Sequence, residues 1–273
     1  MPQAEVNGVT LEYAWLGEQS VPVIVLIRGL GTQMIEWPAT FLEGLQQQGL
    51  SVLIFDNRDV GLSSKCTADY ALSDMAADVV ALMDHCGIPR AHIFGISLGG
   101  MVAQLLGIEH GPRVDCLFSV MSGSGNPDVP TVSADMLPYL VEQASGREAV
   151  IALSARNRAL FGSPGYPESE AHRRAQSTAA YDRCYCPEGT ARQMRAATAD
   201  GSRVERLATI RRPTLVIHGE DDPLVSVAAG RDTAAHIPGA ELEVIAGMGH
   251  NIPVALGARL AELTTAFIAR HSS

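Results

Sequence analysis

A serine between two glycines is the first feature of this sequence that could do chemistry. Positions 95–99 read GISLG, so Ser97 stands at the centre of a G-x-S-x-G spacing between a β-branched run and a helical pattern. Only glycines allow so tight a turn, and the serine hydroxyl then projects above the sheet. It also lies at a helix N-terminus, where backbone N–H groups favour negative charge. Ser97 is therefore the candidate nucleophile.

A histidine and an aspartate follow in a useful order. A serine hydroxyl is a weak nucleophile until a base takes its proton, and the base needs an acid that fixes its tautomer. His250 lies in a glycine-rich loop after a predicted strand and is the candidate base. Asp222 lies at an earlier strand end and is the candidate acid, with Asp221 as its rival. His218, at the end of the same strand, is interpreted as structural.

Two backbone N–H groups are candidates for stabilising an oxyanion. One is that of Leu98, directly after the serine. The other is that of Leu30, because a loop rich in glycine, 28–31, follows the predicted strand Val23–Ile27. A tight turn leading into the next helix is the alternative interpretation of this loop.

The elements that must position these residues alternate between strands and helices. Short apolar runs predict a mostly parallel sheet flanked by helices, which is an α/β fold. Ser73-Asp74 is predicted to cap a helix that ends before Gly87, and an amphipathic helix is predicted over Leu256–Ile268. The predicted strands are Val23–Ile27, Val52–Phe55, His92–Phe94, Leu117–Val120, Leu215–Ile217 and Leu242–Ile245.

The middle of the chain has no strand pattern. We predict that residues 125–206 form a helical cap insertion, and that residues 1–124 and 207–273 together form the core. The glycine and proline cluster at 162–165 is interpreted as a turn, with a hinge as the alternative. The predicted helices of this segment are Met136–Ser145, Glu148–Leu160, Glu168–Ala180 and Thr190–Ala199.

Composition narrows the classes of function. The 273 residues carry a formal charge of −10 and are 47% hydrophobic, which is enough for a substantial core. Because lysine and arginine are not clustered, nucleic acid and anionic membranes are not expected partners. The absence of a signal-peptide pattern leads us to expect a cytoplasmic protein. Cys184 and Cys186 form a lone C-x-C pair, so we predict no metal site.

Five motifs in order give the chain its resemblance. It has RGL at 28–30, DNRDVGLS at 56–63, and then Ser97, Asp222 and His250. With these motifs the chain resembles the α/β-hydrolase superfamily over essentially its full length. The resemblance implies the α/β-hydrolase fold, a Ser-Asp-His triad and an acyl-enzyme mechanism that requires no cofactor.

Two positions depart from that superfamily pattern. Arg28 stands where a histidine is usual, and Asp59 where a glycine is usual. For Arg28, contact with the substrate, contact with a cap carboxylate and bracing of the loop all stay open. Asp56 and Arg58 are interpreted as a structural brace.

The segments 28–38 and 56–63 resemble a narrower branch of the superfamily. This branch contains aclacinomycin methylesterase and the serine-dependent macrolide esterases, which open the lactone of 16-membered macrolide antibiotics. The resemblance implies a small-molecule ester substrate, either a bulky ester or a macrolactone, and a role in antibiotic resistance. It does not predict the oligomeric state.

Several side chains are predicted to line the substrate pocket. Their apolar or aromatic character suits a broad pocket, although residues at helical spacing can instead pack the cap onto the core. The candidates are Arg28, Gly29, Trp37, Tyr139, Leu140, Leu160, Phe161, Tyr166, Tyr181, Tyr185, Met194 and Met248.

Other functions stay open. A general carboxylesterase, a cofactor-free perhydrolase, a thioesterase and a C–C bond hydrolase would use the same triad. Epoxide hydrolases and haloalkane dehalogenases are disfavoured, because by resemblance they carry an aspartate at the position of Ser97. A non-catalytic ligand receptor on this fold is a further alternative, and the intact set of Ser97, Asp222 and His250 argues against it.

Overall fold

A computed structural model describes residues 1–19, 22–129 and 131–271. In this part of the chain, eight strands form one sheet in the order β1-β2-β4-β3-β5-β6-β7-β8. The strands are β1 Gln3–Val6, β2 Val9–Leu16, β3 Val23–Ile27, β4 Ser51–Phe55, β5 Ala91–Ile96, β6 Val114–Val120, β7 Thr214–Gly219 and β8 Glu241–Ile245.

The six strands from β3 to β8 pair in parallel, as the buried apolar runs predicted. The prediction of a mostly parallel sheet is therefore confirmed. Strand ends differ slightly, since β6 begins at Val114 rather than at Leu117. The sequence analysis did not predict the antiparallel hairpin of β1 and β2. This hairpin joins the sheet through β2, which pairs antiparallel with β4 and places Tyr13 opposite Phe55.

Helices cover both faces of the sheet. One apolar cluster fills the space between the sheet and α2 and α3, and a second fills the space beneath α1 and α10. The second cluster contains a chain of aromatic contacts from Trp37 through Phe94 and Phe118 to Phe267. The helices next to the sheet are α1 Ala39–Gln47, α2 Leu72–His85, α3 Leu98–Glu109, α9 Val227–His236 and α10 Gly257–His271.

The start of α2 corrects the predicted cap at Ser73-Asp74. The helix begins at Leu72, and its N-cap residue is Ala71. Asp74 still stabilises the helix start, because its carboxylate accepts a hydrogen bond of 2.8 Å from the Ala71 N–H. The Ser73 hydroxyl instead donates to the Glu109 carboxylate at 3.0 Å.

Five helices connect β6 to β7 within the described residues. They are α4 Leu137–Val141, α5 Arg147–Leu160, α6 Glu170–Arg183, α7 Pro187–Asp200 and α8 Val204–Leu207. The predicted helix Met136–Ser145 is much shorter as α4, because the chain turns extended at Glu142. The position given for the end of the insertion, 206, falls inside α8.

None of the helices in the described ranges has both the length and the apolar character required to cross a bilayer.

Candidate active site

Ser97 lies in the turn between β5 and α3. Its backbone angles are φ 55° and ψ −120°, a conformation that a residue with a side chain rarely adopts. A Cβ on Gly95 would lie 2.0 Å from the Gly99 carbonyl oxygen, and a Cβ on Gly99 would lie 2.3 Å from the Ile27 carbonyl oxygen. Both flanking glycines are therefore required, as the spacing predicted.

His250 joins Ser97 and Asp222 in one row of hydrogen bonds. The Ser97 hydroxyl lies 3.0 Å from Nε2 of His250, and Nδ1 of His250 lies 2.7 Å from Oδ2 of Asp222. With the proton on Nδ1, the ring donates to the carboxylate and accepts from the serine. The structure thus brings together three side chains from loops that are far apart in the sequence.

Asp222 is held in place by backbone donors. Its Oδ1 accepts hydrogen bonds from the N–H groups of Leu224 at 2.9 Å and Val225 at 2.8 Å, and its side chain is buried. Asp221 is exposed and accepts instead from the Gly247 N–H at 2.8 Å. Of the two rival acids, only Asp222 reaches the imidazole of His250.

His218 lies directly behind this acid. Its Nε2 donates to the Val225 carbonyl oxygen at 2.8 Å and lies 3.6 Å from Oδ2 of Asp222. Burial lowers the pKa of His218, so its ring is neutral at neutral pH. This contact agrees with a structural role, because His218 fixes the loop that carries Asp222.

The loop 28–31 lies against the N-terminus of α3. A Cβ on Gly29 would lie 3.2 Å from Cβ of Ser97, and a Cβ on Gly99 would lie 2.6 Å from the Arg28 carbonyl oxygen. Leu30 lines the same cavity as Ser97, and Leu98 is the first residue of α3. The two predicted oxyanion donors therefore belong to segments that meet at the serine.

A cavity of about 600 Å³ opens above Ser97 and His250. Six of the predicted pocket residues line it: Arg28, Gly29, Leu140, Phe161, Tyr185 and Met194. Further apolar side chains that line it are Met121, Val141, Val150, Leu153, Leu224 and Ile252.

Two other predicted pocket residues are buried in the core. Trp37 is 4% exposed and packs its ring against Phe41, and Met248 is fully buried. Neither side chain lines the cavity. These predictions were wrong because the aromatic and sulfur-containing side chains point to the sheet rather than to the serine.

Three tyrosines and a leucine are also placed elsewhere. Tyr139 is exposed beneath Arg156, and Tyr181 stacks on Tyr185 in an adjoining pocket. Tyr166 and Leu160 line a neighbouring groove. Their predicted place in the cavity was wrong, because the orientation of α4 to α6 decides which face of each helix meets the site.

The sequence analysis missed one face of α5. Val150, Leu153, Ser154, Asn157 and Arg158 all line the cavity, and they recur at the spacing of three and four residues that one helix face requires. This spacing was visible in the sequence. Because this face mixes apolar with polar side chains, its pattern alone does not distinguish a cavity lining from a partly exposed helix surface.

Asp56 and Arg58, which were predicted to form a structural brace, bind different partners rather than each other. Arg58 forms two hydrogen bonds with Asp78, at 2.6 and 2.7 Å. Asp56 accepts from the Met34 N–H at 2.8 Å and forms an ion pair with Arg183 of α6 at 2.6 Å. One member therefore braces α2 and the other braces the helical segment.

Metal ligands are not clustered in the described residues. No three His, Cys, Asp or Glu side chains among residues 1–19, 22–129 and 131–271 are grouped so that they could hold an ion. Cys184 and Cys186 are free thiols beside the adjoining pocket.

A family model described as the alpha/beta hydrolase fold matches residues 22–254, which is most of the chain. The chain belongs to the α/β-hydrolase family. The predicted superfamily is therefore confirmed, and relatives named as an esterase and a lactonase confirm the predicted hydrolytic enzyme.

Relatives within this family are named as an esterase and a lactonase. It is 29% identical to rhodomycin D methylesterase from Streptomyces peucetius, over 93% of both chains. It is also 29% identical to 3-oxoadipate enol-lactonase 2 from Acinetobacter baylyi, over 88% of this chain and 86% of the relative. The predicted resemblance to the methylesterase branch is thereby confirmed.

Solved structures agree with this placement. The crystal structure of an enol-lactonase from Burkholderia xenovorans LB400 superposes with a TM-score of 0.84 at 26% identity, over 98% of this chain and all of that one. An enzyme described as degrading N-acyl homoserine lactones, Est816, superposes with a TM-score of 0.74 at 27% identity, over 97% of this chain and all of that one.

Proposed function

We propose that this chain is a serine-dependent carboxylic-ester hydrolase that acts on a bulky ester or a lactone. The observation that carries the proposal is the hydrogen-bonded row of Ser97, His250 and Asp222, with separations of 3.0 and 2.7 Å. This row gives a serine hydroxyl both a proton acceptor and an oriented acid, which nucleophilic catalysis requires.

In the proposed mechanism, His250 takes the proton of Ser97 as the serine oxygen attacks the ester carbonyl carbon. The N–H groups of Leu30 and Leu98 stabilise the oxyanion of the tetrahedral intermediate. Collapse of the intermediate expels the alcohol, which takes the proton from His250. Water, deprotonated by His250, then attacks the acyl-enzyme. The bond to Ser97 breaks, the acid is released, and His250 returns the proton to Ser97. The steps use only these residues and water.

We assign residues 125–206 the role of a cap over the site. Helices α4, α5 and α7 contribute much of the lining of the 600 Å³ cavity, whose size suits a drug-sized ligand. Cyclic esters are supported as substrates by the relatives named enol-lactonase, and methyl esters by the relative named rhodomycin D methylesterase. The finer proposal is the lactone of a 16-membered macrolide, with antibiotic inactivation as the role.

Mass spectrometry tests this proposal directly. Wild type and Ser97→Ala are incubated with a short p-nitrophenyl ester and with the macrolide tylosin. The wild type should cleave the short ester and Ser97→Ala should not, while Ser73→Ala, a change at the surface, should retain activity. Gain of one water on the macrolide, in the wild type alone, would support the macrolactone. Cleavage of the short ester with an intact macrolide would leave a general esterase. Hydrolysis by Ser97→Ala at the wild-type rate would refute the proposed nucleophile.

A further inference from the structure

Arg28 is a buried cation at the edge of the candidate site. Its side chain lines the cavity that also contains Ser97 and His250. Arg28 precedes Gly29, on which a Cβ would lie 3.2 Å from Cβ of Ser97. Only 8% of its surface is exposed. Burial lowers the pKa of Arg28 to about 10, against the opposing effect of Glu36, so the guanidinium remains charged at neutral pH.

The guanidinium of Arg28 has few partners inside the protein. Its Nε donates to the Thr32 hydroxyl at 3.3 Å, and its central carbon lies 4.8 Å from the centre of the Trp37 ring. Among the residues that the structure describes, no carboxylate lies within 4 Å of it. Most of its five N–H donors therefore have no acceptor from the protein.

The other buried arginines behave differently. In the described part of the chain, Arg58 and Arg203 are also buried, and each forms an ion pair with a carboxylate. Arg58 is bound by Asp78 through two hydrogen bonds, and Arg203 pairs with Asp200. A buried charge is costly unless it is paired, so the lone guanidinium of Arg28 requires an explanation.

Glu36, the carboxylate whose charge raises the pKa of Arg28, already has two partners. One oxygen of Glu36 accepts from the Arg158 guanidinium, and the other accepts from the Gln33 N–H. Arg28 and Arg158 thus share the field of one carboxylate, and their mutual repulsion contributes to the lowered pKa of Arg28. This end of the cavity carries an excess positive charge.

The remaining acidic residues of the lining belong to the helical segment. Glu142 forms an ion pair with Arg156, and Glu168 lies 3.7 Å from His172. Neither of them is within ion-pair distance of Arg28.

We propose that Arg28 binds a carboxylate of the substrate, so that the ester or lactone hydrolysed at Ser97 is itself an acid. This inference rests on the proposed hydrolysis of an ester or lactone at Ser97. It selects an acidic substrate in place of the 16-membered macrolactone, which has no carboxylate for Arg28 to bind. A guanidinium offers two parallel N–H donors that match the two oxygens of a carboxylate. A substrate carboxylate accepts hydrogen bonds from the N–H groups of Arg28 that have no acceptor in the protein.

Two matched pairs of esters test the inference. Each pair contains a half-ester and its neutral primary-amide analogue: ethyl hydrogen glutarate with ethyl glutaramate, and ethyl hydrogen terephthalate with its amide. For the wild type we expect kcat/KM to be about tenfold to a hundredfold higher for the acid in at least one pair, as the strength of a charged hydrogen bond implies. The difference should lie mainly in KM.

Variants locate the preference. Arg28→Gln should bring the ratio of acid to amide close to one, and Arg28→Lys should leave an intermediate ratio because it keeps the charge but not the paired donors. Arg195→Gln removes an exposed arginine whose carboxylate partner, Asp69, does not line the cavity, and it should keep the wild-type ratio. The wild-type ratio tests the inference even if Arg28→Gln fails to fold.

The outcomes separate the inference from the proposed function. Equal hydrolysis of acid and amide by the wild type, or an unchanged ratio in folded Arg28→Gln, overturns the role of Arg28 and leaves the esterase intact. Hydrolysis of none of the four esters, while a fluorophosphonate still labels Ser97, also overturns it. Failure of the label, together with no cleavage of a p-nitrophenyl ester, would instead remove the proposed function.

Discussion

The backbone N–H of His250 donates to the carbonyl oxygen of Phe161 at 2.7 Å. Phe161 directly follows α5, so the candidate base is attached to the helical segment as well as to the core. Two further contacts strengthen this attachment. The Gly249 N–H donates to the Ser163 hydroxyl at 2.9 Å, and that hydroxyl donates to the Asn251 side chain at 2.6 Å. The helical segment therefore helps to position the imidazole.

Ser163→Ala should lower kcat with little change in KM. The change removes the acceptor of the buried Gly249 N–H, which costs about 1–3 kcal/mol, and it loosens the loop that orients His250. Ser169→Ala is the matched control, because this exposed serine caps α6 and does not contact the loop. Steady-state kinetics with a p-nitrophenyl ester and urea unfolding of both variants measure the effect. Equal kcat values for the two variants would show that Ser163 does not position the base.

Asp222→Asn and Asp221→Asn form a second matched pair. Asparagine at 222 still accepts the two backbone hydrogen bonds, but it does not favour the tautomer of His250 that accepts the serine proton. We expect kcat to fall about 10³- to 10⁴-fold. Asp221→Asn should retain most activity, because Asp221 is exposed and contacts Gly247 rather than His250. A larger loss in Asp221→Asn would show that the acid is the rival residue.

The parallel sheet and the order of the candidate triad could be predicted from the sequence for a local reason. The buried strands are continuous apolar runs. A Cβ on either glycine beside Ser97 would lie only 2.0 or 2.3 Å from a carbonyl oxygen, so no other residue fits there. Such requirements act within a few residues, so they remain visible in a single sequence.

The cavity lining could not be predicted in the same way. Tyr181 and Tyr185 are four residues apart and their rings stack, yet only Tyr185 lines the cavity above Ser97. Which tyrosine does so depends on how α6 lies against the core. That orientation is fixed by distant contacts, such as the hydrogen bonds of Gln33 with Ala180 and Cys184. A pattern of residue types along the chain does not contain these contacts.

The unusual Asp59 is explained by one such contact. It has a φ of 71°, where a glycine is favoured, and its carboxylate accepts hydrogen bonds from Arg192 of α7 at 2.8 and 2.9 Å. Burial alone would raise the pKa of Asp59, but the hydrogen bonds from Arg192 and from the Cys66 N–H outweigh it and lower the pKa. The ion pair between Asp59 and Arg192 of α7 thus offsets the cost of the strained backbone at position 59.

A double-mutant cycle should measure the coupling between Asp59 and Arg192. Arg192→Met leaves the buried Asp59 carboxylate without its partner, and we expect a loss of up to about 3 kcal/mol in the free energy of unfolding. Adding Asp59→Gly removes both the unpaired charge and the strained backbone, so the double variant should be more stable than Arg192→Met alone. Urea unfolding of the four proteins gives the coupling energy. Additive effects of the two changes on the free energy of unfolding would show that Asp59 and Arg192 are not coupled.

Two buried histidines should make the protein less stable in acid. Burial lowers the pKa of both His92 and His218 below the ordinary value of 6.5. The unfolded chain therefore takes up protons before the folded protein does, and the free energy of unfolding should decrease as the pH falls below about 6.5. His92→Gln should reduce this decrease, because glutamine does not titrate. His92 lies in β5, away from the cavity, so the change leaves the site intact. Urea midpoints of wild type and His92→Gln at about pH 7.5 and about pH 5.5 measure the difference. A wild-type midpoint that does not change between these pH values, or an equal decrease in His92→Gln, would contradict the contribution of His92. The sign follows from the burial itself, since an imidazole that gained an acidic partner on folding would instead make the protein more stable in acid.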